Sequence, residues 1–324
     1  MAVGHGDHDG CVQVFHAWGL FNPIQGGSAV TPLVSVVVPV YNCVDFIDAT
    51  MQSILAQTFS DLELVVSDNA STDGTWEALQ RHVADPRVRL TRHASTIPAA
   101  ENFNHVTELA TGEFVKLVCA DDVLYPDNLE VLVSELTAHP SALLAVSSRD
   151  LIDATGRILV RNRGLAGLRG EVAGTDAIRR SVLAGTNIFG EPPSALFRRA
   201  ALIDAGGWDR RFPYLMDLVT YCAVLLHGNG NLIAVPRPLW AFRISGGQET
   251  VRTYMHLQTE QVIGFYRELA AEHPGLLSRR HLVVGSMRAR MNAIKRRAVY
   301  RWLGRGTRLG APAAGSQRDA SNVS

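Results

Sequence analysis

The chain has 324 residues, 47% of them hydrophobic and 19% charged, with 31 Lys+Arg against 31 Asp+Glu. That apolar fraction and zero net charge exclude a disordered chain, and at roughly 100–200 residues per domain the length allows one large domain or two small ones. The balance is uneven: residues 279–308 hold ten Lys+Arg and no acid, so the rest of the chain carries a net charge of −10. An acidic body with one basic segment speaks against a general nucleic-acid binder and for a localised anion-seeking tail. No run approaches the roughly 18–20 apolar residues of a spanning helix. The first ten residues carry His and Asp but no Lys or Arg, unlike a signal peptide. Cys11, Cys43, Cys119 and Cys222 show no CxxC spacing. A soluble cytoplasmic protein is expected.

Residues 1–32 lack periodicity and read as a poorly ordered arm; the spacing of His5, His8, Cys11 and His16 fits no closed zinc pattern. Order begins at Leu33. The run Val34 to Val40 is β-branched, as in a strand buried on both faces. Ile47, Met51, Ile54 and Leu55 fall on one helix face. A strand at Leu62–Val66 follows, then a helix with Ser71 or Thr72 as cap and Trp76, Leu79 and Val83 on one side. Arg87–Thr91 is a short strand. Phe103, Val106 and Leu109 mark a helix stopped by Gly112. Phe114–Cys119 is a strand, Leu129 to Leu136 a helix, and Leu143–Ser147 another strand. This alternation predicts an α/β fold whose mostly parallel central sheet is flanked by helices, with ligands beyond the carboxyl ends of its strands.

Those ends carry polar groups. Pro39, Tyr41, Asn42 and Asp45 follow the first strand, Asp68, Asn69, Ser71 and Asp73 the second, and Asp121-Asp122 the strand at 114–119. Acids also cap helices and fill turns, and that reading competes for residues 71–73. Adjacent carboxylates behind a buried strand repel one another unless a cation or sugar hydroxyls lie between them. Neither GxxxxGK[ST] nor a GxGxxG after the first strand is present, which disfavours a P-loop hydrolase and a dinucleotide dehydrogenase. A sheet of this kind without a glycine cradle suggests that a divalent metal neutralises a diphosphate.

The segments Val36–Asn42, Ser53–Thr58, Val65–Thr75 and Ala120-Asp121-Asp122 with Pro126 resemble the family 2 inverting glycosyltransferases of bacterial type, which have the GT-A fold. The likeness runs from about 33 to 245. It implies transfer of a sugar from a nucleotide-diphospho-sugar to an acceptor hydroxyl, in cell-surface polysaccharide or glycoconjugate synthesis. It also implies that Pro39, Tyr41, Asn42, Asp68 and Asn69 hold the nucleotide, that Asp121 faces the ribose, and that Asp122 binds Mn²⁺ or Mg²⁺. The family commonly has two acids after the second strand, where this chain has Asp68-Asn69. An Asn carbonyl still accepts the uracil imide proton, without charge assistance. UDP or dTDP is therefore expected ahead of GDP.

Past residue 150 the pattern is irregular, as in the acceptor half of such a fold. Glu191 and Ser194 in Gly190–Arg199, and Trp208 in Gly206–Asp209, resemble the family's sugar and acceptor pocket. Asp217 stands where the family carries its general base, and it also suits the start of a helix over 218–226. Arg243, in Leu239–Ser245, resembles the basic turn near the diphosphate. The expected organisation is an arm at 1–32, a nucleotide-sugar half at 33–150, an acceptor half at 151–250, C-terminal helices at 251–308 and a disordered tail at 309–324. Over 283–303, Val284, Met287, Met291, Ile294, Ala298 and Trp302 form a stripe beside Arg288, Arg290, Lys295, Arg297 and Arg301. Such a helix either packs on the catalytic domain or lies on the inner membrane face, near sugar or lipid-linked acceptors. The alternatives to a transferase are a nucleotide-sugar-binding protein without turnover and a nucleotidyltransferase.

Overall fold

Every residue of Val34–Val40 (β1) is buried. Val34, Val36, Val38 and Val40 join one core with Ile47, Met51 and Ile54 of helix α1 (Ile47–Leu55), while Val37 joins the core on the opposite face. A strand sandwiched between two helical layers must be apolar on both sides, hence the unbroken valine run. The computed structural model describes residues 31–244 and 258–306, with side chains described to Lys295. The expectations for His5, His8, Cys11, His16 and the tail at 309–324 lie outside the described residues, as do the side chains of Ala298 and Trp302.

Strands β2 (Leu62–Asp68), β3 (Val88–Arg92) and β4 (Phe114–Leu117) complete a parallel block in the order β3-β2-β1-β4. Val37 pairs with Val65 on one side and Leu117 on the other. Pro39 lies past the end of the β4 ladder, where its missing N–H costs nothing on that side. The chain then adds a short β5 (Val123–Leu124), β6 (Ala142–Ile152), β7 (Ile158–Arg163), β8 (Gly170–Ala173), β9 (Ala195–Arg198) and β10 (Asn231–Arg243) to the same sheet. Strand β9 runs antiparallel between β4 and β6, and β6 pairs in parallel with β10. Residues before and after 150 thus share one hydrogen-bonded sheet.

Helices α1, α2 (Thr75–Gln80) and α4 (Asn128–Ala138) cover one face. The other carries α3 (Ala99–Glu108), α5 (Gly174–Ala184), α6 (Arg199–Asp204), α7 (Met216–His227), α8 (Gln258–Glu272) and the N-terminal part of α9 (Arg279–Gly306). No helix among the described residues is long and apolar enough to cross a membrane.

Three local expectations are corrected. Helix α2 starts at Thr75 behind Gly74, which has φ +97°; Ser71 and Thr72 are not its caps, and Val83 is exposed beyond its end. Helix α3 ends at Glu108, before Gly112. Gly112 instead lies against β1, where a Cβ would come 2.8 Å from the Ser35 nitrogen. Finally, α9 does not bury the stripe read from its sequence. Gly285, Ala289 and Ala293 are its buried residues, and Met287, Met291 and Ile294 are exposed.

Candidate active site

The loops after β1 and β2 are laced together. Asn42 (φ +47°) donates its N–H to Ser71 Oγ at 2.9 Å and accepts the Thr72 N–H on its side chain at 2.9 Å. Cys43 and Val44 donate to Thr75 Oγ1 and Asp73 Oδ2 at 2.8 and 3.0 Å. Asp68 is buried, which pushes its carboxyl up, while Ser71 and Arg92 hold it down; Arg92 Nε lies 3.0 Å from Oδ2. Asn69 clamps Ile97, its Nδ2 donating to the carbonyl and its Oδ1 accepting the N–H, both at 2.8 Å. That amide oxygen therefore already serves the protein, with one lone pair left over. Tyr41 stands exposed at the rim.

After β4 the chain turns at Asp121-Asp122. Thr50 Oγ1 shapes the turn, sharing its one proton between the carbonyls of Ala120 and Asp122, both at 2.8 Å. Asp122 is fully buried; its Oδ1 accepts the Arg243 N–H at 3.0 Å, and its Oδ2 has no hydrogen-bond partner. Burial and then Asp121 raise its carboxyl well above the usual carboxylate range. A buried carboxylate oxygen left over beside a second carboxylate suits a cation. Among the described residues no group of three or more His, Cys, Asp or Glu is arranged to hold a metal. A cation here would thus rest on Asp122, with Asp121 beside it, and take its remaining ligands from phosphate and water, as Mg²⁺ sites commonly do. Arg243 is placed near the diphosphate by the resemblance. It is buried over the Phe46 ring, and its guanidinium donates to the carbonyls of Asp121, Asp153 and Ala154 at 2.8–3.2 Å. Its position brackets the acidic turn.

The opposite wall comes from the later half. Asp217 sits in the first turn of α7, where the helix dipole favours a carboxylate. Its Oδ1 accepts the Leu218 N–H at 2.7 Å and its Oδ2 accepts Asn187 Nδ2 at 2.9 Å. Burial, then Glu191, raise its carboxyl to about 7 against the opposing pull of Leu218, Asn187 and Arg149. Glu191 is itself held by Arg149, with Nε at 2.6 Å from Oε2 and Nη2 donating to Oε1 at 2.8 Å. Tyr221 braces this wall, donating to the Glu191 carbonyl at 3.2 Å and lying 3.4 Å from Ser194 Oγ. Burial and the charges of Asp122, Asp121, Glu191 and Asp217 all push the Cys119 thiol up. Carboxylates from three separate segments therefore act on one spot at the sheet edge, with Arg149 the cation paired among them.

Of the residues expected, Asp121, Asp122, Glu191 and Asp217 all act electrostatically on Cys119, and Ser194 lies against Tyr221. Trp208 is not in the pocket. It is buried between Phe103 and Phe197, edge-on to each at 5.8 and 5.9 Å, and its Nε1 donates to Thr107. Arg149, Asn187 and Tyr221 escaped sequence reading. A motif search finds none of them, because each acts through a partner 30 or more residues away.

Residues 35–206 match the profile of Glycosyl transferase family 2. The chain is 31% identical over 230 residues to the uncharacterized protein MT1568 of Mycobacterium tuberculosis (strain CDC 1551 / Oshkosh), covering 68% of this chain and 70% of that protein. It spans only 13–40% of the length of seven other curated relatives, chondroitin and hyaluronan synthases among them. The fold is similar to S. aureus TarS 1-349 solved with UDP-GlcNAc, at TM-score 0.59 and 20% identity, over 74% of this chain and 66% of that one. It is also similar to the mannosyltransferase PcManGT of Pyrobaculum calidifontis solved with GDP-Man and Mn²⁺, at TM-score 0.52 and 20% identity, over 87% and 84%. These likenesses place the sheet and its helices in the GT-A fold, and the chain belongs to glycosyl transferase family 2.

Proposed function

We propose that this glycosyltransferase moves the sugar of a nucleoside-diphospho-sugar to an acceptor hydroxyl with inversion, Asp217 serving as general base. The observation that carries the reading is the state of Asp217. It is half-buried and held by two donors, yet each of its oxygens keeps a lone pair for an incoming proton. Its carboxyl, raised to about 7, is matched to accepting a proton near neutral pH. Glu191 is a poorer base, since Arg149 is hydrogen-bonded to its Oε1 and ion-paired 2.6 Å from its Oε2.

In the proposed step the acceptor hydroxyl gives its proton to Asp217 as its oxygen bonds to the anomeric carbon. The carbon–oxygen bond to the diphosphate breaks from the opposite face, and its electron pair leaves with the nucleotide. One displacement inverts the configuration and needs no covalent intermediate on the enzyme. A divalent cation held at Asp122 would supply positive charge to the departing diphosphate. The laced loops at Asn42 and Ser71 and the buried Asp68 form the nucleotide end, with uracil or thymine the proposed base and guanine the alternative. TarS was solved with a uridine nucleotide and PcManGT with a guanosine nucleotide, which supports both members of that choice. The acceptor is proposed to be a sugar or lipid-linked glycan hydroxyl in surface polysaccharide synthesis, in keeping with the chondroitin and hyaluronan synthases among the relatives.

Incubation with a panel of UDP-, dTDP- and GDP-sugars, with and without Mn²⁺, tests the reading. The anomeric proton coupling of the product is followed by NMR. An inverted product formed by wild type and lost in Asp217→Asn is expected; retention of configuration overturns the mechanism.

A further inference from the structure

Helix α9 packs Leu282 and its small residues inward and turns Val283, Met287, Met291 and Ile294 outward. Gly285 and Ala289 sit against α5 so closely that a Cβ on Gly285 would come 2.4 Å from the Val182 carbonyl. Side chains then fix the helix in place. Arg288 donates to the Leu183 carbonyl at 2.9 Å, and Asn292 donates to the carbonyls of Ala184 and Gly185 at 3.0 and 3.2 Å. On the far side Val283, Met287, Met291 and Ile294 are 62, 52, 45 and 67% exposed. At about 100° per residue these four lie roughly opposite Gly285, Ala289 and Asn292. Arg279 and Arg290 fall along one margin of the exposed stripe, and Arg288 and Lys295 along the other. No acidic residue occurs anywhere in 279–308.

A helix serving only as a structural prop would bury its methionines and isoleucine. Here the methionines and isoleucine face solvent between two basic margins, and those margins name the occupant. A protein partner would need its own acidic margins matched to this spacing, whereas any anionic bilayer surface takes apolar side chains between its headgroups and pairs its phosphates with the flanking cations. We infer that the exposed face of α9, built on Val283, Met287, Met291 and Ile294 with Arg279, Arg290 and Lys295 beside them, is a docking surface for anionic lipid membranes. The inference is independent of the sugar-transfer chemistry.

Full-length protein is mixed with vesicles of phosphatidylcholine alone, or of phosphatidylcholine with phosphatidylglycerol, and sedimented. Binding to the anionic vesicles alone is expected, falling as salt rises. The triple variant Met287→Gln, Met291→Gln, Ile294→Gln should lose it while melting with wild type, because these side chains support nothing in the core. Arg290→Ala with Lys295→Ala keeps the apolar stripe and should weaken vesicle binding roughly 25-fold, at about five-fold per cation. Wild type that ignores anionic vesicles overturns the inference, as do variants that sediment like wild type. A vesicle-free dimer seen by analytical ultracentrifugation and broken by the triple variant would assign the face to a second copy instead. None of these readouts needs donor or acceptor, so they stand apart from any failure of the transferase reading.

Discussion

The proposed nucleotide end and the proposed sugar end of the site treat their polar side chains in opposite ways. At the nucleotide end nearly every polar group bonds to another part of the protein: Asn42 to Ser71 and Thr72, Asn69 to both sides of the Ile97 peptide, Asp68 to Ser71 and Arg92. At the sugar end Asp122 keeps an oxygen without a partner, and Asp217 is raised toward neutrality by burial and Glu191. The first arrangement fixes a shape. The second stores unspent valence, and a buried group left under-satisfied is costly unless a ligand completes it. Position and chemistry are thus divided between the two ends.

The sharpest way to break this division is Asp217→Asn, which keeps the volume and the Leu218 contact but cannot take a proton. The transfer rate should fall by roughly 10²–10⁴-fold while donor affinity, measured by calorimetry, stays near wild type. Near-normal turnover would move the base elsewhere. Asp122→Asn preserves an acceptor for the Arg243 N–H but removes the charge. Donor affinity in Mn²⁺ should drop by at least the roughly 10–100-fold that losing a residue behind a metal ligand costs, to the level wild type shows in EDTA.

Asn69→Ala probes the other end. It leaves the Ile97 N–H and carbonyl without partners, so stability should fall by about 1–3 kcal/mol in denaturant titrations. KM for donor should rise while kcat holds within a few-fold; a collapse of kcat would erase the distinction between the ends. The gentlest test is pH. Below about 7 the transfer rate should fall about tenfold per unit as Asp217 takes up its proton. Folding holds that proton more tightly than the unfolded chain does, so the contribution of Asp217 to stability is greatest at low pH and is lost as pH rises toward 7. Asp217→Asn should therefore melt above wild type at pH 8 and together with it at pH 4.

The parallel block was legible because its signals are local. Valine runs, helical spacing and acids at strand ends placed β1 to β4, α1 and α4, and they placed the Asp121-Asp122 turn. Local signals misled wherever tertiary contacts decide. Ser71 reads as a helix cap but its hydroxyl accepts the Asn42 N–H from the neighbouring loop. Trp208 reads as part of the sugar and acceptor pocket or as core, and it fills core between α3 and β9. Arg243 reads as a phosphate ligand, with no sign in the sequence that its guanidinium also supports the acidic turn. The stripe on α9 was visible, but its direction was not, since nothing in a helical repeat says that glycine and alanine will take the inner side.

Helix α9 has one more consequence, through the few residues on which it rests. Its Asn292 grips the carbonyls of Ala184 and Gly185, and a Cβ on Gly185 would fall 2.4 Å from the Ala289 nitrogen. Two residues further along, Asn187 holds Asp217. The four-residue turn 184–187 thus meets the surface helix at one end and holds Asp217, the proposed base, at the other. Thermodynamic linkage is reciprocal, so if reseating α9 shifts this turn and with it the Asn187 contact, as Asn292→Ala would test, the pH midpoint of transfer should move with it.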